Sequence, residues 1–170
     1  MSKLVCCAVF VIGLIAECRA QPPGSQRRLQ AEYYVAVYAR HYGLPVAFVR
    51  AVVEAESGWQ PCAISAKGAV GLMQLMPLTA IRLGVRDRCD INTNISGGVR
   101  YLAWLGQHFR GDLRLVAAAY LAGEDVIARR GLLYSNPEVV VYVSQIRKTY
   151  ELEMRNGTVV RRSAAGGNVR

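Results

Sequence analysis

The sequence predicts a single all-α domain, and three observations predict it. Apolar residues recur at helical spacing in successive segments, no region shows the alternation of a strand-rich fold, and glycine or proline punctuates the segment ends. At 170 residues the chain suits one domain with a sizeable core and is short for two.

The first twenty residues read as an export signal rather than as fold. Lys3 precedes the apolar run Leu4 to Ala16, Cys18-Arg19-Ala20 closes the segment, and Gln21-Pro22-Pro23 follows. The run is shorter than the roughly 20 residues that span a bilayer, so a cleaved signal at 1–20 is expected over a retained anchor. Gln26 to His41 then forms a first amphipathic helix with Leu29, Tyr33 and Val37 as its stripe, stopped by Gly43. Pro45 suits the first turn of a second helix, whose apolar face is Val49, Val52 and Val53 and which ends near Gly58. Ser57 to Lys67 is an irregular loop, and Leu72 to Leu83 reads as an apolar helix closed by Gly84. Beyond the polar connection at Arg86 to Asp90, helical patterns cover Asn94 to Phe109, Asp112 to Ala122 and Glu138 to Met154. The domain is thus expected over 26–154, with a structureless basic tail at 155–170, where Gly, Asn and Arg occur without apolar period.

The formal charge is +9; loss of Lys3 and Arg19 with Glu17 would leave +8 on the exported chain. So basic a protein suits an anionic surface or polymer, and export argues against nucleic acid as the partner. Of five cysteines, Cys6, Cys7 and Cys18 would leave with the signal. Cys62 and Cys89 remain, in loops flanking one helix, and are expected to form a disulfide in an oxidising compartment. His41 and His108 are isolated and no CxxC or HExxH spacing occurs, so neither a metal nor a cofactor is expected.

The residue that points to chemistry is Glu56. Three, four and seven positions before it on the same helix face lie Val53, Val52 and Val49, so its carboxyl projects from an apolar stripe. Loss of hydration there raises the pKa toward the range in which a carboxyl holds and releases a proton near neutrality. Glu54 lies roughly 200° around the helix, near Arg50, and reads as a solvated charge.

Around Glu56 the sequence runs Glu56-Ser57-Gly58-Trp59-Gln60-Pro61, Ala63-Ile64-Ser65 and Gly68-Ala69-Val70-Gly71-Leu72-Met73-Gln74-Leu75-Met76-Pro77. This closely resembles the signature of the soluble-lytic-transglycosylase family. The resemblance continues through Asn94-Ile95-Ser96-Gly97-Gly98-Val99-Arg100-Tyr101-Leu102, Ala118-Ala119-Tyr120-Leu121-Ala122-Gly123 and Tyr142-Val143. It implies a lysozyme-like helical domain with a saccharide groove, Glu56 as the catalytic residue, and Ser65, Gln74, Met76 and Tyr120 lining the site. Tyr142 would hold the glycan or the Glu. Hydroxyl, amide and phenol groups suit N-acetyl and sugar hydroxyls, and Met76 supplies an apolar contact. Leu72 and Leu75 are read as core, Trp59 as a packing anchor and Glu124 as a surface charge. One departure is Leu121, where that family carries Asn.

Glycosidases ordinarily use two carboxyls, roughly 5 Å or 6.5 to 9.5 Å apart, and only one stands out here. A lone Glu serves if the substrate provides the nucleophile, protonating the glycosidic oxygen and then deprotonating the C6 hydroxyl of N-acetylmuramic acid. The resemblance thus implies a peptidoglycan lytic transglycosylase acting on glycan strands in the periplasm, without a cofactor. Its small size resembles the specialised members that serve secretion, conjugation or pilus machines. Two alternatives stay open. One is a goose-type lysozyme-like hydrolase using Asp87, Asp90 or Glu124 to position water. The other is a peptidoglycan-binding assembly subunit without turnover.

Overall fold

The computed structural model describes residues 23–165; the expected export signal at 1–20 lies outside them. Among the described residues seven α-helices follow one another: α1 Pro23–His41, α2 Val46–Ser57, α3 Pro77–Arg82, α4 Ile91–His108, α5 Leu113–Ala122, α6 Glu124–Arg130 and α7 Pro137–Ala165. Among the described residues β pairing is limited to two isolated bridges, Ile64 with Val70 and Val70 with Leu75. The all-α expectation therefore holds.

Helix α2 is the central strut. Pro45 precedes it in extended conformation, and Gly58 ends it in the left-handed region, where its N–H reaches the Glu54 carbonyl. Phe48, Val49, Val52 and Val53 are fully buried, and α2 packs against α1 and α7. Helix α4 starts at Asp90, whose carboxylate accepts from the Thr93 N–H at 2.8 Å. It packs against α1 and α5, and its buried face carries Ile95, Val99, Leu102 and Leu105.

One buried stripe and two boundaries differ from the expected ones. In α1 the buried stripe is Ala31, Val35 and Ala39, all fully covered, while Leu29, Tyr33 and Val37 are exposed. Both sets have helical period; close approach of α1 to α4 and α2 selects the smaller side chains. The segment Leu72 to Leu83 is helical only from Pro77. Gly71 and Gln74 both have positive φ, at 90° and 45°, which breaks a helix before proline begins a new one. Leu72 and Leu75 are buried as expected, yet in a looped segment. At the C-terminus the backbone of α7 continues to Ala165, past Asn156, where a structureless tail is expected. The segment lacks proline, and an established helix extends at one hydrogen bond per residue.

Helix α6 has no counterpart in the sequence reading. Its first turn carries Glu124 and Asp125 and its last Arg129 and Arg130, the charge order that the helix dipole favours.

Candidate active site

Glu56 occupies the last turn of α2, above the buried Val49, Val52 and Val53. Its side chain enters an open groove of about 400 Å3, whose lining includes Ser65, Gln74 and Met76 on one side and Tyr120 and Leu121 of α5 on the other. From α7, the Tyr142 hydroxyl donates to Oε1 of Glu56. Burial raises the Glu56 carboxyl from 4.5 to about 7, and the hydrogen bond from Tyr142 opposes that rise by favouring the carboxylate. The result is a group that both holds and releases a proton near neutrality.

The wall bearing Ser65, Gln74 and Met76 is loop rather than helix, and it is held by named bonds. Ser57, the residue after Glu56, donates its hydroxyl to the Leu72 carbonyl at 2.8 Å. The Ser65 hydroxyl oxygen accepts from the Ala69 N–H at 3.0 Å. The Gln74 amide donates to the carbonyls of Ala63 at 3.0 Å and Gly71 at 2.9 Å, so this side chain braces the loop as well as lining the groove. Tyr120 donates to the Met73 carbonyl at 2.7 Å and is tied to the same wall. Met73 is fully buried whereas Met76 is 42% exposed, which separates a core methionine from one facing the groove.

Two residues without an assigned role in the sequence reading organise that wall. The fully buried Asn94 on α4 accepts from the Met73 N–H at 2.8 Å. Its amide donates to the carbonyls of Val70 at 3.1 Å and Arg88 at 2.7 Å. Arg88 donates to the carbonyls of Gly68 and Leu75, at 2.8 and 3.0 Å. The available signal was Asn94 itself, a polar side chain at a helical position flanked by the apolar Ile91 and Ile95. The Cys62–Cys89 disulfide, with Cα atoms 4.6 Å apart, ties the same loop to the connection before α4.

The other carboxylates named for the hydrolase alternative lie elsewhere. Asp87 accepts from the Cys89 N–H and Asp90 caps α4. Glu124 accepts from the Tyr101 hydroxyl at 2.9 Å, and its pKa is lowered, first by its own backbone N–H and then by Tyr101. None of the three lines the groove around Glu56. Glu54 is exposed, and Arg50, expected beside it, instead reaches Glu32 at 3.5 Å and Glu153 at 3.2 Å. Trp59 is 5% exposed, with the Arg28 guanidinium 4.1 Å from its ring centroid. It packs rather than presenting a face to the groove.

A helical domain in which a core helix ends in a largely desolvated carboxyl facing a groove is an arrangement that lysozyme-like domains share, and solved structures of that class match this chain. The same fold occurs in an inactive mutant of lytic transglycosylase Slt from Pseudomonas aeruginosa. That match has a TM-score of 0.62 at 24% identity and covers 72% of this chain and 24% of that one. The 70 kDa soluble lytic transglycosylase from Escherichia coli matches with a TM-score of 0.61 at 25% identity, again over 72% of this chain and 24% of that one. The chain belongs to the transglycosylase SLT domain family, whose sequence model matches residues 33–137. Curated relatives include a membrane-bound lytic murein transglycosylase F of Desulfosudis oleivorans, 44% identical over 71 residues, and a transglycosylase of Enterobacteria phage PRD1, 42% identical over 82 residues. The matches cover 42% and 48% of this chain but only 16% and 31% of those relatives.

Proposed function

We propose that this chain is a peptidoglycan lytic transglycosylase, cleaving the β-1,4 bond between N-acetylmuramic acid and N-acetylglucosamine with formation of the 1,6-anhydro sugar. The observation that carries the reading is a single carboxyl, Glu56, buried enough to be protonated near neutrality and aimed into a groove. The other carboxylate along that groove, Glu138, differs in kind from Glu56: it is 64% exposed, beside Lys67 at 3.3 Å. A hydrolase ordinarily uses a second carboxylate to activate water or attack the sugar; Asp87, Asp90 and Glu124 are engaged away from the groove. The names of the relatives agree, since two are a lytic murein transglycosylase and a transglycosylase.

In the first step protonated Glu56 gives its proton to the glycosidic oxygen as the bond to C1 breaks, and the N-acetylglucosamine portion leaves as an alcohol. Positive charge at C1 is shared by the neighbouring N-acetyl carbonyl of the substrate. Glu56, now a carboxylate stabilised by the Tyr142 hydroxyl, takes the proton of the C6 hydroxyl, whose oxygen closes on C1. The carboxyl ends as it began, and no water is consumed. Ser65, Gln74, Met76 and Tyr120 bind the sugars in this reading. The site of action is the periplasm, and the role is local opening of the wall for a secretion, conjugation or pilus apparatus.

The test is digestion of purified peptidoglycan with mass analysis of the fragments. Wild-type products should end in 1,6-anhydro-N-acetylmuramic acid, each lighter by one water than a hydrolysis product. Glu56→Gln should remain folded and release none, because an amide of the same shape neither gives nor retakes the proton. Reducing ends from the wild type would establish the hydrolase, and activity in Glu56→Gln would remove the mechanism.

A further inference from the structure

Along the groove, the lining residues other than Glu56 that carry charge are Lys67 and Glu138. They come from opposite walls. Lys67 sits in the loop after Ser65 and Glu138 in the first turn of α7, and Nζ meets Oε1 at 3.3 Å across 71 residues of sequence. Both side chains are well exposed, at 78% and 64%, so the pair is a weak surface contact that a ligand can open. The groove does not end at this pair. Leu121 and Glu138 also border a second trough of about 430 Å3, floored by Pro137, Val141, Tyr142 and Gln145. Leu121, where the resembled family carries Asn, makes the passage between the two apolar.

We infer that Lys67 and Glu138 form a clamp that reads the peptide stem of the glycan, the stem leaving the sugar groove between them and lying in the trough beyond; this rests on the peptidoglycan reading above. The sugar backbone itself offers no net charge to either group. A stem offers both signs, with free carboxylates for Lys67 and the ammonium of a diamino residue for Glu138, on a chain whose alanine methyls suit an apolar floor. Insertion of the stem exchanges one exposed ion pair for two charge-assisted contacts at lower solvent exposure. Stem-free strands offer Glu138 no cation and Lys67 at most the freed lactyl carboxylate, so they cannot make both contacts.

The experiment measures binding by calorimetry in the full chain carrying Glu56→Gln, which separates recognition from turnover. The ligands are a purified muramyl tetrasaccharide with its stems and the same tetrasaccharide stripped of them by an amidase, its freed lactyl carboxylates then capped as neutral methyl amides. Stem-bearing ligand should bind more tightly, and Lys67→Met or Glu138→Gln should each reduce the ratio of the two affinities about fivefold. Lys67→Arg and Glu138→Asp should retain most of the ratio, as lost packing alone would not predict. Equal affinity for the two ligands, or a ratio untouched by the neutral variants, would overturn the clamp. A wild-type chain that binds with the expected ratio yet releases no anhydro sugar would instead sink the proposed activity and leave the clamp standing.

Discussion

The burial that fits Glu56 for its proposed role also has a consequence for stability. Its folded-state pKa of about 7 lies above the ordinary 4.5. The unfolded chain therefore releases this proton at lower pH than the folded one. Between about 4.5 and 7 the folded state binds more protons, so its stability falls as pH rises through that window. The full difference is on the order of 3 kcal/mol, from 1.36 kcal/mol per pKa unit. Glu56→Gln carries no such charge and should be the more stable protein at pH 8, with the advantage vanishing below pH 4.5. Urea unfolding of both at the two pH values checks this, and a wild type equally stable relative to the variant throughout would mean that the carboxyl is not desolvated. A site residue that destabilises its own fold is the expected mark of function over stability.

At the scale of the element, α4 decides where the groove wall sits. Its Gly98 meets Met73 so closely that an added Cβ would lie 2.8 Å from the Met73 Cβ. Replacing Gly98 with Ala should therefore push the 71–75 segment away from the helix and cost about 1 to 3 kcal/mol, the usual range for overpacking. Gly106, on the same helix, is the contrast: its added Cβ would meet only the Leu44 side chain at 3.8 Å. Gly106→Ala should stabilise by up to about 1 kcal/mol through helix propensity. Chemical denaturation of the two variants is the check, and equal effects of the same sign would contradict the packing described. Because the displaced wall carries Gln74 and Met76, Gly98→Ala should also lower activity, although it touches no substrate.

Across the whole molecule, the loop lobe from Gly58 to Met76 is joined to the rest by hydrogen bonds from Ser57, Asn94, Arg88 and Tyr120 and by the Cys62–Cys89 disulfide. It closes 27 residues of sequence. On the chain-entropy argument, removing it costs about 3.5 kcal/mol. Reduction, or the double change Cys62→Ser with Cys89→Ser, should lower the melting temperature accordingly. Asn94, Arg88 and Ser57 still brace the lobe, so the domain should fold without the bond. An unchanged melting temperature on reduction would show that the bond adds nothing to the fold.

Much of this was legible in local pattern. Helical period located six of the seven helices, the Val49-Val52-Val53 face identified Glu56 as a carboxyl set in apolar surroundings, and Gly43 and Gly58 marked where helices stop. These features are local because helix period and chain reversal depend on neighbours a few residues apart. Tertiary packing alone decided the rest. Which stripe of α1 turns inward depends on how close α4 comes, and that excluded Leu29, Tyr33 and Val37 in favour of Ala31, Val35 and Ala39. The run from Leu72 to Leu75 is loop because Gly71 and Gln74 take positive φ, and Asn94, distant in sequence, holds that course through the Met73 N–H and the Val70 carbonyl. Glu138 meets Lys67, and Tyr142 meets Glu56, only because α7 packs back on α2. Contacts between residues so far apart in the chain leave no periodic trace in it; they exist only once the helices have packed.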